Sequence, residues 1–179
     1  IRDSIKSMKE LKNPVSYGKD IAADFKVQSP GTFIYENNKY EIKSDIIGDH
    51  FKSNMLGAII LALLNGIEIK DSLNAIESFA GVKRRIELIG ISKGVLIYDD
   101  YGHHPTEMEA TITALKQQTK SKLYVVFQPH RYTRTMEYFS SFKDSLKLAD
   151  FAIVTDIYPA GESPIPGISS KNFEEESIK

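Results

Sequence analysis

Several side chains that can carry charge or transfer protons lie in one short run, Asp99-Asp100-Tyr101-Gly102-His103-His104-Pro105-Thr106-Glu107. The apolar residues 95–98 before this run favour a β-strand, and Pro105 suits the first turn of a helix. In open α/β sheets, ligands bind at the edge where strands lead into helices. The run is therefore the first candidate for a functional site.

Two later loops have the same setting, because residues 123–127 and 151–155 also form short apolar runs. Their polar side chains are His130, Arg131 and Arg134 in one loop, and Asp156, Tyr158 and Glu162 in the other. Parallel strands direct their carboxyl ends to the same edge of a sheet. We therefore expect all three loops to meet. Arginine at the start of a helix opposes the helix dipole, so an anionic ligand is needed to justify Arg131 and Arg134.

Each feature also has a purely structural explanation. His104 could simply cap a helix, and one of the two aspartates could simply end a strand. Arg131 and Arg134 could form a solvated helix face, while Lys83-Arg84-Arg85 could be a basic linker as readily as a phosphate contact. A metal site is less favoured, because adjacent histidines rarely face one ion and no histidine pair is spaced i, i+4.

Composition narrows the class of protein. The 179 residues include 23 Lys and Arg against 24 Asp and Glu, with a formal net charge of -1. This balance favours neither a nucleic-acid partner nor a membrane-surface partner. Residues 55–64 are apolar but too few to cross a bilayer, and no signal-peptide pattern occurs. We expect a cytoplasmic protein and, because the chain opens without methionine, a fragment of something longer.

Hydrophobic patterning predicts two unlike halves. The first contains an antiparallel meander with a turn at Asn37-Asn38, then a helix that is apolar nearly all round and should be buried. From Gly81 onward, short strands alternate with helices, and one helix is expected to run to about Leu148. This alternation predicts an α/β fold with a mainly parallel, Rossmann-like sheet. We place the boundary near 79–84, which gives domains 1–81 and 82–179.

These segments resemble the Mur ligase family, and within it the ligases that add L-alanine to UDP-N-acetylmuramate in peptidoglycan synthesis. Residues 99–107, 127–135 and 155–162 carry the resemblance, and residues 48–54 and 81–87 are similar to further family motifs. The resemblance implies that 1–81 is the tail of a P-loop-type central ATP-binding domain. It identifies 82–179 as a C-terminal Rossmann-like domain, truncated at its end.

The same resemblance implies an ADP-forming acid–amino-acid ligase. ATP phosphorylates the lactyl carboxylate of UDP-N-acetylmuramate, and the amine of L-alanine then attacks the acyl phosphate. No G-x-x-x-x-G-K-[ST] sequence occurs in the chain. The phosphate-binding loop and the Mg²⁺ ligands are therefore expected outside it, with no metal ligands within it, and the chain alone is expected to be inactive.

Roles follow from matching positions in the family. Arg85 and His103 are the catalytic candidates. His50 and Asn54 match residues that contact adenine, Asp100 one near the ribose, and Arg85 one that reaches the phosphates of ATP. The residues that line the site where alanine meets the UDP substrate are Tyr101, His103, Arg131 and Arg134. Phe51 departs from the asparagine usual in the family, and His50 and Asn54 could instead cap a helix.

Two other functions stay open. A related recycling ligase joins a murein tripeptide to the same sugar nucleotide, although Tyr101-Gly102 and the run 130–135 favour the alanine enzymes. Alternatively, the chain could be a non-catalytic Rossmann-like module that binds an anion. Small-molecule substrates are the expected partners in each case, and the sequence leaves the oligomeric state open.

Overall fold

A computed structural model describes residues 15–173, which divide into two compact units. The first contains the described residues up to Asp45 together with Asp49–Phe79, and the second contains Ile46–Gly48 and the described residues from Ala80 onward. Both helices and strands occur, with parallel and antiparallel pairing, so the predicted mixed α/β class is confirmed. The outer ends of both predicted domains, residues 1–14 and 174–179, lie outside the described part.

The first unit contains a small sheet and two helices. Its elements are β1 (Tyr17–Gly18), β2 (Phe25–Ser29), β3 (Thr32–Tyr35), β4 (Asn38–Glu41), α1 (Asp49–Leu64) and α2 (Ile69–Glu77). Strand β1 pairs parallel with β2, and β2, β3 and β4 form the predicted antiparallel meander.

The tight turn between β3 and β4 lies one residue earlier than predicted. Tyr35 pairs with Asn38, so Glu36 and Asn37 form the turn, at φ 48° and 64°. Positive φ at both central residues matches the twist of a two-residue hairpin, and asparagine tolerates it. The asparagine pair therefore marks the turn, and the strand register decides which residues occupy it.

Helix α1 buries one face, which contradicts the expectation of burial all round. Its buried side chains are Met55, Leu56, Ile59 and Ile60. Leu61 and Leu64 on the other side are 64% and 62% exposed. Apolar composition gives a helix the capacity for burial on every side, but only the face that meets other atoms of this unit is covered.

The second unit carries the three candidate loops. Its elements are β5 (Glu87–Ser92), β6 (Val95–Asp99), α3 (Pro105–Gln118), β7 (Tyr124–Phe127), α4 (Tyr132–Glu137), α5 (Phe139–Leu146), β8 (Phe151–Val154) and a 3₁₀ turn (Ser170–Phe173). Strands β7 and β8 are parallel, while β5 and β6 form an antiparallel hairpin. The helix expected to run to about Leu148 is two helices, because Tyr138 leaves the helical region at φ -110° and ψ 19°.

An aromatic core lies beneath the carboxyl ends of β7 and β8. It contains Met108, Phe127, Phe142, Leu146 and Phe173. Alternate strand residues Val125 and Val154 pack against it, while Val126 and Ile153 on the opposite face are 69% and 58% exposed. The core fixes α3 and α5 against the strands from which the candidate loops emerge.

Between residues 15 and 173, the structure has no helix long and apolar enough to cross a membrane.

Candidate functional site

The loops that follow β7 and β8 are joined by main-chain hydrogen bonds. Tyr158 N–H donates to the Pro129 carbonyl at 2.8 Å, and Arg131 N–H donates to the Tyr158 carbonyl at 2.8 Å. Thr133 adds a second connection, because its N–H and hydroxyl donate to the Glu162 carboxylate at 3.0 and 2.7 Å. The two loops therefore form one continuous surface at the carboxyl end of the parallel pair. This surface is called the ledge, and its polar side chains include His130, Arg131, Arg134, Asp156, Tyr158 and Glu162.

The loop after β6 reaches the same ledge through its aromatic rings. The ring centroids of His103 and His130 are 6.0 Å apart, and those of Tyr101 and His103 are 5.4 Å apart. On the other side, the ring of His130 lies 5.4 Å from that of Tyr158. The prediction that the three loops meet is confirmed, although β6 is hydrogen-bonded to β5.

Asp100 shapes the loop after β6. One carboxylate oxygen accepts the N–H of Ile86 at 2.9 Å, and the other accepts the N–H of Gly102 at 2.8 Å. A Cβ at Gly102 would lie 2.6 Å from that second oxygen, so a larger residue there would displace the Asp100 carboxylate. Both oxygens of Asp100 thus bind backbone, and its role near the ribose stays a prediction.

The basic residues before β5 have separate partners. Arg84 Nε lies 3.3 Å from a carboxylate oxygen of Asp99, and the guanidinium is 4.6 Å from the ring centre of Tyr101. Arg85 turns to the start of α3, where Nη1 is 3.6 Å from Glu107 Oε1. The ion pair with Glu107 therefore links Arg85 to the loop that carries His103.

Glu107 also closes the start of α3. Its Oε2 accepts the N–H groups of His103 and His104 at 3.0 and 3.3 Å. The capping explanation of His104 is supported, because its Nδ1 accepts the N–H of Thr106 at 3.3 Å. Burial raises the pKa of Glu107, but the backbone N–H groups of His103 and His104 and the charges of His103 and Arg85 outweigh it and lower the pKa.

Hydrogen bonds define complementary tautomers for the two facing imidazoles. His103 Nδ1 lies 3.0 Å from the Tyr101 carbonyl, which can only accept, so Nδ1 carries a proton, and in the neutral ring the lone pair is on Nε2. His130 Nδ1 lies 3.4 Å from Arg134 Nη1, which can only donate. Burial lowers the pKa of His130, as do the charges of Arg134, Arg131 and His103. Neutral His130 thus presents an N–H at Nε2.

Arg131 has an unusual backbone for a residue with a side chain, at φ 73° and ψ 139°. The surrounding contacts hold it there: its N–H bonds to Tyr158, and its carbonyl accepts the N–H and hydroxyl of the buried Thr135 at 3.1 and 2.7 Å. Strain of this kind concentrates at functional sites. The exposed guanidinium of Arg131 adds positive charge to the ledge, beside Arg134.

His50 and Asn54 belong to the first unit. They are spaced i, i+4 on α1, which places them on one helix face. The helix already begins at Asp49, so neither occupies the cap position. The ring of His50 lies 4.1 Å from that of Phe51. Their contact with adenine stays a prediction.

Four residues of the site received no role from the sequence: Glu107, His130, Tyr158 and Glu162. The role of His130 could have been predicted from its position in the sequence, because it lies next to Arg131 and near Arg134, which were predicted to bind an anionic ligand. Glu107 was interpreted only as a favourable charge at a helix start. In the part of the chain that the structure describes, no group of three His, Cys, Asp or Glu residues could hold a metal ion.

Comparisons with known proteins give a consistent result. Residues 84–177 match the family described as Mur ligase, glutamate ligase domain. A relative from Dictyoglomus turgidum, UDP-N-acetylmuramate--L-alanine ligase, is 41% identical over 98% of this chain and 39% of its own length. This chain therefore spans about two fifths of that relative.

Solved structures agree with the sequence match. UDP-N-acetylmuramate-alanine ligase from Thermotoga maritima superposes with a TM-score of 0.65 and 28% identity, over 82% of this chain and 35% of that one. A murein peptide ligase from Psychrobacter arcticus gives a TM-score of 0.57 and 27% identity, over 78% and 31%.

Proposed function

Because the chain belongs to the Mur ligase family, we propose that the protein carrying it joins L-alanine to UDP-N-acetylmuramate with consumption of ATP. One observation carries the proposal: the three loops that resemble the alanine-adding enzymes converge on a ledge that holds two facing histidines beside two arginines. Such a ledge suits substrates that bear a carboxylate or a phosphate.

The proposed reaction has two steps. The lactyl carboxylate attacks the terminal phosphate of ATP, which forms an acyl phosphate and releases ADP. The amine of L-alanine then attacks the acyl carbon, an amide bond forms, and inorganic phosphate leaves. Mg²⁺ bound with ATP would offset charge on the phosphates, with its ligands expected outside this chain.

The residues of the second unit have distinct roles in this proposal. An arginine of the ledge, Arg131 or Arg134, binds the carboxylate of alanine and leaves its amine free. Tyr101 lines the same site. His103 offers the Nε2 lone pair to the proton that the attacking amine loses, because the Tyr101 carbonyl holds the other ring nitrogen. Arg85 offsets charge on the transferred phosphate.

The first test uses the full-length product of the gene that encodes this chain. We expect phosphate release only when ATP, UDP-N-acetylmuramate and L-alanine are all present. Arg131→Ala should raise KM for alanine or lower kcat, together by about 10- to 100-fold in kcat/KM, because a charged hydrogen bond to a carboxylate is lost. Lys120→Ala, which removes an exposed cation after α3, is the matched control.

The second candidate is a murein tripeptide ligase, supported by the likeness to the Psychrobacter arcticus structure. Comparison of L-alanine with the tripeptide as acceptor separates the two functions. A preference for the tripeptide, or unchanged alanine kinetics in Arg131→Ala, would contradict the proposal. The 179-residue chain alone should bind anions without ATP turnover, because it has no G-x-x-x-x-G-K-[ST] loop.

A further inference from the structure

Glu107 touches both ends of the proposed site. Its Oε1 faces Arg85 at 3.6 Å, on the side proposed to meet the phosphates of ATP. Its Oε2 accepts the N–H of His103 at 3.0 Å and lies 3.8 Å from that residue's Nδ1, on the side proposed to meet the acceptor. No residue role assigned above accounts for this double contact.

We propose that Glu107 is a positioning residue that holds Arg85 and His103 in fixed relation, so that one carboxylate aligns phosphate transfer with attack by the amine. The inference rests on the proposed function. Alignment of this kind matters because misplacement of a catalytic group by about 1 Å can cost on the order of 100-fold in rate.

Helix capping alone does not require this geometry. A capping-box glutamate at this position needs only the N–H of the N-cap residue, here His104. Glu107 accepts the N–H of His103 as well, and its second oxygen faces a guanidinium from the segment before β5. The charge of Glu107 thus also acts on Arg85, whereas the oxygen of a neutral amide could still accept the N–H groups at the helix start, although more weakly.

This difference allows the two roles to be separated. Glu107→Gln keeps an oxygen that can accept the N–H groups of His103 and His104, but it removes the charge that attracts Arg85. We expect the thermal midpoint to stay within a few degrees of the wild-type value. The matched control is Glu109→Gln, because Glu109 lies on the same helix and is exposed.

A double-mutant cycle in the full-length protein tests the connection to Arg85. We expect Glu107→Gln to lower kcat/KM for ATP by about 10- to 100-fold, and Glu109→Gln to change it less than about twofold. In an Arg85→Ala background the same Glu107→Gln change should cost at least about threefold less than in the wild-type background, because one of the two groups that Glu107 positions is gone. Equal losses in both backgrounds would show independent action and overturn the inference.

A second measurement is independent of turnover. In ¹⁵N NMR spectra of the 179-residue chain, Glu107→Gln should shift both the Arg85 Nε–H signal and the His103 imidazole nitrogens. Glu109→Gln should shift neither. An unchanged Arg85 signal would overturn the inference even if the helix start responds. Failure of the wild-type protein to ligate alanine would refute the proposed function instead, and the NMR result would still decide the role of Glu107.

Discussion

His130 shows how neighbouring charges set the chemistry of a single residue. Burial lowers its pKa, and the nearby charges of Arg134, Arg131 and His103 lower it further, against an opposing effect of Glu162. The folded protein therefore releases the proton of this imidazole at a lower pH than an unfolded chain, whose histidines titrate near pH 6.5. As pH falls through about 6.5, the unfolded state takes up more protons than the folded state. The free energy of unfolding therefore decreases as the solution becomes more acidic.

Replacement of Arg134 should move this titration. We expect Arg134→Gln to raise the pKa of His130 toward the ordinary histidine value, because the guanidinium beside Nδ1 is removed. An NMR titration of the imidazole C–H signals measures the change. Arg84→Gln is the control, because Arg84 pairs with Asp99 and is not among the charges that act on His130. A pKa of His130 unaffected by Arg134→Gln would mean that the contact does not persist in solution.

At the scale of elements, the start of α3 combines local and tertiary signals. Pro105 and the preceding strand predict where the helix begins, and His104 caps it as its sequence position allows. The contact of Glu107 with Arg85 was not predictable, because it depends on how the segment before β5 folds back on α3. The sequence predicted where the candidate loop lies, at residues 99–107. Tertiary contacts determined that the Glu107 carboxylate pairs with Arg85.

The break between α4 and α5 illustrates the same limit. Residues 132–146 contain neither glycine nor proline, so local composition gave no reason to divide the helix at Tyr138. The strand–turn–strand pattern of residues 86–98 fits the hairpin of β5 and β6. It did not reveal that β6 is not hydrogen-bonded to the parallel pair of β7 and β8. The loops after β7 and β8 meet for the predicted reason, because these two strands are parallel and their carboxyl ends share one edge. The loop after β6 joins them through its rings rather than through a shared sheet.

Removal of the Glu107 side chain should destabilise the fold in a pH-dependent way. We expect Glu107→Ala to cost about 1 kcal/mol at neutral pH, mainly through the lost backbone hydrogen bonds at the helix start. The ion pair with Arg85 adds little, because the Glu107 side chain is 38% exposed. Thermal or urea unfolding of wild-type and variant chains measures the difference.

The sign of the pH effect follows from the lowered pKa of Glu107. Its stabilisation is complete above the pKa of an unfolded glutamate, about 4.3, and is lost as pH falls through the lower folded value. The difference in unfolding free energy between wild type and Glu107→Ala should therefore shrink below about pH 4. A constant difference across this range would contradict the assignment of the charged form to the helix start.

At the scale of the whole molecule, the sheet of β7 and β8 presents an exposed apolar surface. Tyr124 stacks on its register partner Phe151 at 4.8 Å, and Val126 pairs with Ile153. All four side chains are exposed on the face opposite the core. Parallel strands are normally covered on both faces, and exposed apolar patches tend to associate with other surfaces.

We therefore expect the 179-residue chain to self-associate with rising concentration, and Val126→Lys to weaken that association. The reason is that a charge at the centre of the patch must lose water when two copies meet. Sedimentation velocity across a concentration series measures the effect, with circular dichroism to verify that the variant is folded. Ile21→Lys is the control, since Ile21 is 83% exposed and lies in the turn region before β2. If both variants associate as strongly as the wild-type chain, the face formed by β7 and β8 is not what brings copies together.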